Sequence, residues 1–551
     1  MAHRFAIVIG CLVLAYAVLG FHLYQLQLVK GGYYYAKAEA QTVASEGASG
    51  DRGAIYFTDN KGNTLPAALD EQFPVIYAVP SAIADAQEAA NTVAPILGMP
   101  VSTLTTIFSR TNDQYELLER KASPAAAQQI TDLNLKGVYA DFEPERSYPL
   151  GPIASQVLGY VGPNATNGGE SGHYGVEGFY NSTLVGTSSA PGSDLTLTID
   201  PNIQIEAEKV LDALVAVNDA TGGSVIVEDP RTGKILAMGA TPSFDPNNYQ
   251  SSSIANFLNT DVQSVYEPGS IMKVITMAAG IDAGKITPNT TYDDKGYVDV
   301  NHAHITNYNL TTEGAYGPGT TMTQVIEHSI NTGAIWAENQ TGNDIFLSYL
   351  KKFGFNQKTG IDLPGEVSGN LSQLTPKAPM VDWDTAAYGQ GVAVSPIELV
   401  NAIAAIANDG VLMRPYVNAA LAPRVIGRVI STSTAQQVTR MMVDAVDLAQ
   451  VTNINGYALA WKTGSAYIPN PKGGGYLDQL TDSYIGFGPT SDPQFLAFIR
   501  LNTIPVTSLA AQTVVPAWKE LAQYIINYYN IAPDRTTNNV IPHCPNLICA
   551  Q

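Results

Sequence analysis

The chain has 551 residues, 45% of them apolar and only 14% charged, which is too many for one ordinary core, so two or more domains are expected. Its formal net charge is −20, and no Lys/Arg cluster or basic stripe offsets it. Such a surface repels phosphate backbones and argues against nucleic acid as a partner.

Residues 5–23, FAIVIGCLVLAYAVLGFHL, contain no Asp, Glu, Lys or Arg. About 20 such residues cross a bilayer core as a helix, so residues 1–29 are predicted to be a short cytoplasmic end and a transmembrane anchor. A cleaved signal would need a small-x-small site after the run, yet Ala15-Tyr16-Ala17 lies inside it. The box Val8-Ile9-Gly10-Cys11 has too few apolar residues before it for a lipoprotein signal. His3 and Arg4 before the span and Lys30 and Lys37 after it do not fix its direction by charge.

Residues 30–193 alternate strand-like and mixed segments with no chemistry of their own, and GTSSAPGSD at 186–194 is predicted to be a linker or loop. Beyond it DLTLTID has strand alternation, and PNIQIEAEKVLDALVAV has helical period with Pro201 at its start. GGSVIVEDPRTGKILAMGA predicts a hairpin turning at Asp229 to Gly233. Near the far end SYIGFGP and QFLAFIRLN predict two more strands, and VVPAWKELAQYIINYY an amphipathic helix. Strands at both ends with helices between predict one sheet built from both ends and layered with helices over 194–531. The tail, 532–551, holds Cys544 and Cys549, which can form a disulfide, stay free, or join His543 at a metal.

In EPGSIMKVITMAAG, Ser270 and Lys273 are three apart and share a face if the segment is helical. Apolar neighbours on both sides of Lys273 imply burial, which lowers a lysine's pKa and makes it a base for the serine hydroxyl. Ser270 falls in the first turn, where free N–H groups support an oxyanion. Such a pair alone arises often by chance. Two companions follow: Ser329-Ile330-Asn331, offering a hydroxyl relay and a backbone-holding amide, and Lys462-Thr463-Gly464-Ser465 in a run that suits an edge strand. Gly464 is expected to clear room for a substrate backbone. Each companion alone is a turn or cap; the ordered set is specific.

The ordered set S-x-x-K, S-x-N and K-T-G resembles the penicillin-binding protein and serine β-lactamase superfamily. SGDRGAIYFTDNKGNTL, ERSYPLGPIASQVLGYVG and GVEGFYNSTLVG resemble the pedestal, or dimerisation-type, domain of class B penicillin-binding proteins, the monofunctional peptidoglycan transpeptidases. TIDPNIQ, FDPNNY, TGIDLPGE, YGQGVAVSPIELVNAIAAIANDG and SYIGFGP resemble their transpeptidase domain. YEPGS and S-x-N are more similar to the cell-division type than to the elongation type. Trp461 departs by standing where glycine usually precedes K-T-G, Ser465 replaces threonine, and Met272 fills a slot often held by Phe.

The resemblance implies an α/β (α+β) transpeptidase fold on an anchored, β-rich pedestal, acting through a serine acyl-enzyme without metal or cofactor. It implies Ser270 as nucleophile, Lys273 as its base, and backbone N–H groups of Ser270 and Ser465 as the oxyanion hole. Ser329 with Lys462 would pass a proton to the leaving D-alanine. Asn331 would hold the donor backbone, and Thr463 and Ser465 its carboxylate. Implied partners are D-Ala-D-Ala stem peptides, β-lactams, the bilayer, a membrane glycan polymerase and division proteins. Alternatives are an elongation-type enzyme, a D,D-carboxypeptidase, or a wall scaffold or β-lactam sensor that does not turn over. A lactamase glutamate is not expected, because Glu398-Leu399-Val400-Asn401 falls one residue short of E-x-x-L-N and sits in a predicted packed helix.

Overall fold

The computed structural model describes residues 52–164, 169–187, 190–450, 453–505 and 510–535. The predicted anchor with Cys11 and the tail with His543, Cys544 and Cys549 lie outside the described residues. Among the described residues no helix is long and apolar enough to cross a membrane.

The first strands, β1 (Ile55–Thr58) and β2 (Thr64–Ala78), pair antiparallel. Asp59 turns the chain between them by accepting from the backbone N–H groups of Lys61 and Asn63. Three helices follow within this region: α1 (Ala86–Leu97), α2 (Val101–Phe108) and α3 (Pro124–Leu133). Asp85 caps α1 by accepting from Gln87 and Glu88 N–H, and Ser123 caps α3 ahead of Pro124. With β3 (Glu116–Glu119) and β4 (Val138–Ser147) laid along β2, these helices enclose a core of their own around Ile76, Val93, Leu104, Phe108 and Ile130. The pedestal is therefore as helical at its head as it is β-rich at its base.

DLTLTID yields only the two-residue strand β5 (Leu195–Thr196), which lies parallel to β1 at Ile55 and Tyr56. Helix α4 (Pro201–Val217) then starts under an Asp200 cap with Pro201 in its first turn. The predicted hairpin forms as β6 (Gly222–Asp229) and β7 (Lys234–Thr241). Helices α5 (Met272–Asp282), α6 (Asn331–Thr341), α7 (Pro396–Ala407) and α8 (Thr432–Ala449) fill the middle of the region. Strands β8 (Ala460–Pro469), β9 (Tyr476–Gly488) and β10 (Phe495–Pro505) precede the closing helix α9 (Val514–Tyr529).

The sheet runs β8-β9-β10-β6-β7, antiparallel throughout, so strands from both ends of the region meet between β10 and β6. Alternate side chains of each strand serve opposite faces. Ile226, Ile485, Leu496 and Phe498 join a core with α5, α7 and α8, while Val225, Tyr484, Phe495 and Ala497 join a second core with α4 and α9. Helix α5 is buried from Met272 through Ile281, a run that is apolar apart from Lys273 and Thr276. In α7 the Glu398 carboxylate accepts from Ser395 and Gly369 N–H and closes a capping box, so this glutamate is structural.

Candidate active site

Ser270 sits in a 3-10 turn, Gly269–Ile271, which leads into α5, rather than in the α-helix itself. The turn is fixed by Gly269, whose φ of +57° favours glycine and whose N–H donates to Gly389 O at 3.0 Å. A Cβ there would come within 2.6 Å of Ser465 O, so this glycine also lets β8 lie against the turn that carries Ser270.

The spacing of Ser270 and Lys273 delivers the contact it predicts. Lys273 is fully buried, and its Nζ lies 2.9 Å from Ser270 Oγ. The same nitrogen donates to Ser329 O at 2.5 Å and lies 3.2 Å from Ser329 Oγ. Lys462 enters from β8, 1% exposed, and donates to Ser329 Oγ at 2.9 Å. Ser270, Lys273, Ser329 and Lys462 thus form one hydrogen-bonded chain. Ser329 is held in the left-handed region, φ +55°, an uncommon conformation for serine that turns the chain between the helix Met322–Glu327 and α6.

Burial pushes the Lys273 ammonium well below the usual lysine range, and the nearby Lys462 charge adds to the effect. Burial alone brings Lys462 down to about 7. Two ammonium groups around one hydroxyl disfavour each other, so burial and mutual repulsion both favour a neutral amine in the site. A neutral Lys273 can accept the Ser270 hydroxyl proton, and Ser329 can carry a proton between the two lysines.

Asn331 stands at the start of α6 and donates from Nδ2 to Thr306 O at 2.9 Å, which leaves its amide oxygen available. Thr463 and Ser465 lie on β8, whose outer side has no strand partner among the described residues; the expected edge strand is present. Ser465 is exposed at that edge. Gly464 answers to a packing demand within the protein itself. A Cβ on it would meet Pro268 O at 2.6 Å and Ser483 Oγ at 2.5 Å, so the backbone it admits is the protein's own.

Sequence reasoning missed two groups. Asp482, opposite Ser465 on β9, is fully buried and accepts from Ser465 Oγ at 2.5 Å and Thr513 Oγ1 at 2.8 Å. Burial raises it to about 6. Behind Asn331, Thr332 donates to Asp294 at 2.6 Å and its N–H donates to Asn307 Oδ1, which anchors the loop. Asp482 stands beside the SYIGFGP segment, but only cross-strand register reveals its partner. Among the described residues no three His, Cys, Asp or Glu side chains converge as a metal site.

Residues 223–515 match the family model described as the penicillin binding protein transpeptidase domain, and 48–192 that of the penicillin-binding protein dimerisation domain. The chain is 31% identical over 495 residues to the stage V sporulation protein D of Bacillus subtilis, covering 82% of this chain and 74% of that protein. It is 26% identical over 567 residues to the peptidoglycan D,D-transpeptidase FtsI of Escherichia coli, covering 97% and 93%. Among solved structures, penicillin binding protein 2X from Streptococcus thermophilus shares the fold, with a TM-score of 0.71 at 22% identity over 88% of this chain and 81% of that one. With a family model spanning more than half its length and a relative this similar over most of it, the chain belongs to the class B penicillin-binding protein transpeptidases.

Proposed function

We propose that the protein is a peptidoglycan D,D-transpeptidase that crosslinks stem peptides through a serine acyl-enzyme in cell-wall synthesis. The observation that carries this is the 2.9 Å contact of Lys273 Nζ with Ser270 Oγ, in surroundings that favour the neutral amine. Ser270 attacks the carbonyl between the two terminal D-alanines of the donor while its proton passes to Lys273. The N–H groups of Ser270 and Ser465 hold the oxyanion. Collapse breaks the C–N bond, and the proton reaches the departing D-alanine amine through Ser329 and Lys462. Asn331 holds the donor backbone, with Thr463 and Ser465 on its carboxylate. An acceptor amine then attacks the ester carbonyl; Lys273 takes its proton and returns it to Ser270 Oγ, leaving the crosslink made and the serine free.

A β-lactam is expected to acylate the same serine. The division-type motifs YEPGS and S-x-N, with a relative named FtsI, favour septal wall synthesis beside a membrane glycan polymerase and division proteins. In this reading residues 1–29 anchor the chain in the bilayer, with the N-terminus cytoplasmic and the catalytic domain outside. Incubation with a fluorescent penicillin should label the wild type covalently and Ser270→Ala not at all; an unlabelled wild type refutes the acyl-enzyme. Supplying a D-alanyl-D-alanine donor with an amine acceptor should give crosslinked product, whereas free acid alone would make the protein a carboxypeptidase.

A further inference from the structure

In the transpeptidase reading Ser465 binds the donor's terminal carboxylate, and the role inferred for its neighbour Asp482 rests on that reading. A hydroxyl binds a carboxylate by donating its single proton. That proton is already committed: Ser465 Oγ donates to Asp482 Oδ1 at 2.5 Å, across the β8-β9 pair. Toward the cleft Ser465 then offers only lone pairs, with an anion directly behind it. If the hydroxyl turns outward instead, Asp482 is left buried with Thr513 Oγ1, at 2.8 Å, as its remaining side-chain donor. Either route sets the incoming carboxylate against an ionised Asp482.

We infer that Asp482 is a positioning residue for the donor: a terminal carboxylate engages Ser465 only when Asp482 carries a proton. The protonated acid donates to Ser465 Oγ, accepts from Thr513, and frees the Ser465 hydrogen for the substrate. Binding therefore takes up one proton, and by reciprocity the bound carboxylate raises the proton affinity of Asp482. The groups that face Asp482 are few. Ser465 lies opposite on β8, Leu501 opposite on β10, and Thr513 ahead of α9. Tyr308 is within electrostatic reach across the cleft. Lys462 and Arg500 belong to the other face of the sheet, Arg500 being paired with Ser483. In the free protein burial holds Asp482 at about 6, so it is mostly ionised at neutral pH and the requirement has a measurable consequence there.

The test is the second-order rate of acylation of the full chain by benzylpenicillin, which carries one carboxylate, between pH 5 and 9. The wild type should rise with pH as Lys273 loses its proton and fall again above about pH 6 to 7. In Asp482→Asn the amide donates permanently to Ser465 and accepts from Thr513, so the alkaline fall should vanish. At pH 8 this variant should react roughly tenfold to a hundredfold faster than wild type, since each pH unit above the pKa costs a factor of ten. Thr513→Val, which removes one donor from the carboxylate, should shift the fall to higher pH and keeps the test open if the Asn variant does not fold. A fall set by Lys462 would persist unmoved in both variants, and that result overturns the inference. Absence of labelling at every pH would instead overturn the acyl-enzyme itself.

Discussion

Trp461 and Gly464 lie three residues apart on β8 and answer to opposite demands. Successive strand residues point to opposite faces, so the chain that sends Lys462 into the site sends Trp461 away from it. Trp461 packs at 5.0 Å from the Tyr484 ring, in the core that holds Trp518, and Gly486 opposite makes the room. The tryptophan that departs from the family's glycine therefore fills the far core and leaves the substrate groove alone. Trp461→Gly should lower stability in urea unfolding by about 3–5 kcal/mol, the usual cost of emptying a large aromatic site. Penicillin labelling of the folded fraction should keep its rate, and a slowed rate would contradict this placement. Gly464→Ala should do the reverse. Its methyl meets Pro268 O two residues before Ser270, so Ser270 shifts and labelling slows while stability changes less.

At the scale of elements, β6, an interior strand of the sheet, carries an unexpected cost. Glu228 is fully buried opposite Leu496, and neither carboxylate oxygen has a hydrogen-bond partner among the described residues. Burial, with Asp229 beside it, raises Glu228 to about 8. The folded chain therefore keeps a proton that the unfolded chain loses between about pH 4.5 and 8, and stability must fall as pH rises through that window. Glu228→Gln should flatten the decline of Tm between pH 5 and 8, a difference on the order of a few kcal/mol at the alkaline end; parallel declines in both proteins would contradict it. The hairpin itself was legible, because Asp229 to Gly233 is strong turn chemistry between apolar runs. The burial of Glu228 was not, because a charge next to a turn has the same local pattern as an exposed strand end. Ser270 with Lys273 was legible from a three-residue spacing along the chain, whereas Asp482 with Ser465 depends on register between strands, which no local pattern encodes.

Over the whole molecule, the pedestal and the transpeptidase region do not have separate cores at their junction. Strand β1 pairs with β5, and Leu197 N–H donates to Tyr56 O at 2.7 Å. Ile55 and Phe57, both fully buried, belong to the same cluster as Met272, Val274 and Ile275 of α5, the helix that follows Ser270. Buried Glu177 ties the base together by accepting from Arg52 and Arg146 at 2.8 Å each. Among the described residues of the pedestal, the head around Ile130 and Phe108 has a core of its own. This division was hidden in the sequence, since β1 and β5 are far apart in the chain and β5 is only two residues long. It predicts that the base melts with the catalytic region and the head melts apart from it. Acylation by benzylpenicillin at Ser270 should raise the Tm of one calorimetric transition, because a bound group stabilises only the unit that holds it. Phe57→Ala should lower that same transition by an amount equivalent to about 3–5 kcal/mol, though Phe57 lies more than two hundred residues from Ser270 in the sequence. Ile130→Ala should lower the other transition and leave the penicillin-linked one in place. If Phe57→Ala instead moves only the transition that ignores penicillin, the shared core does not carry the coupling, and the pedestal base unfolds as a unit of its own.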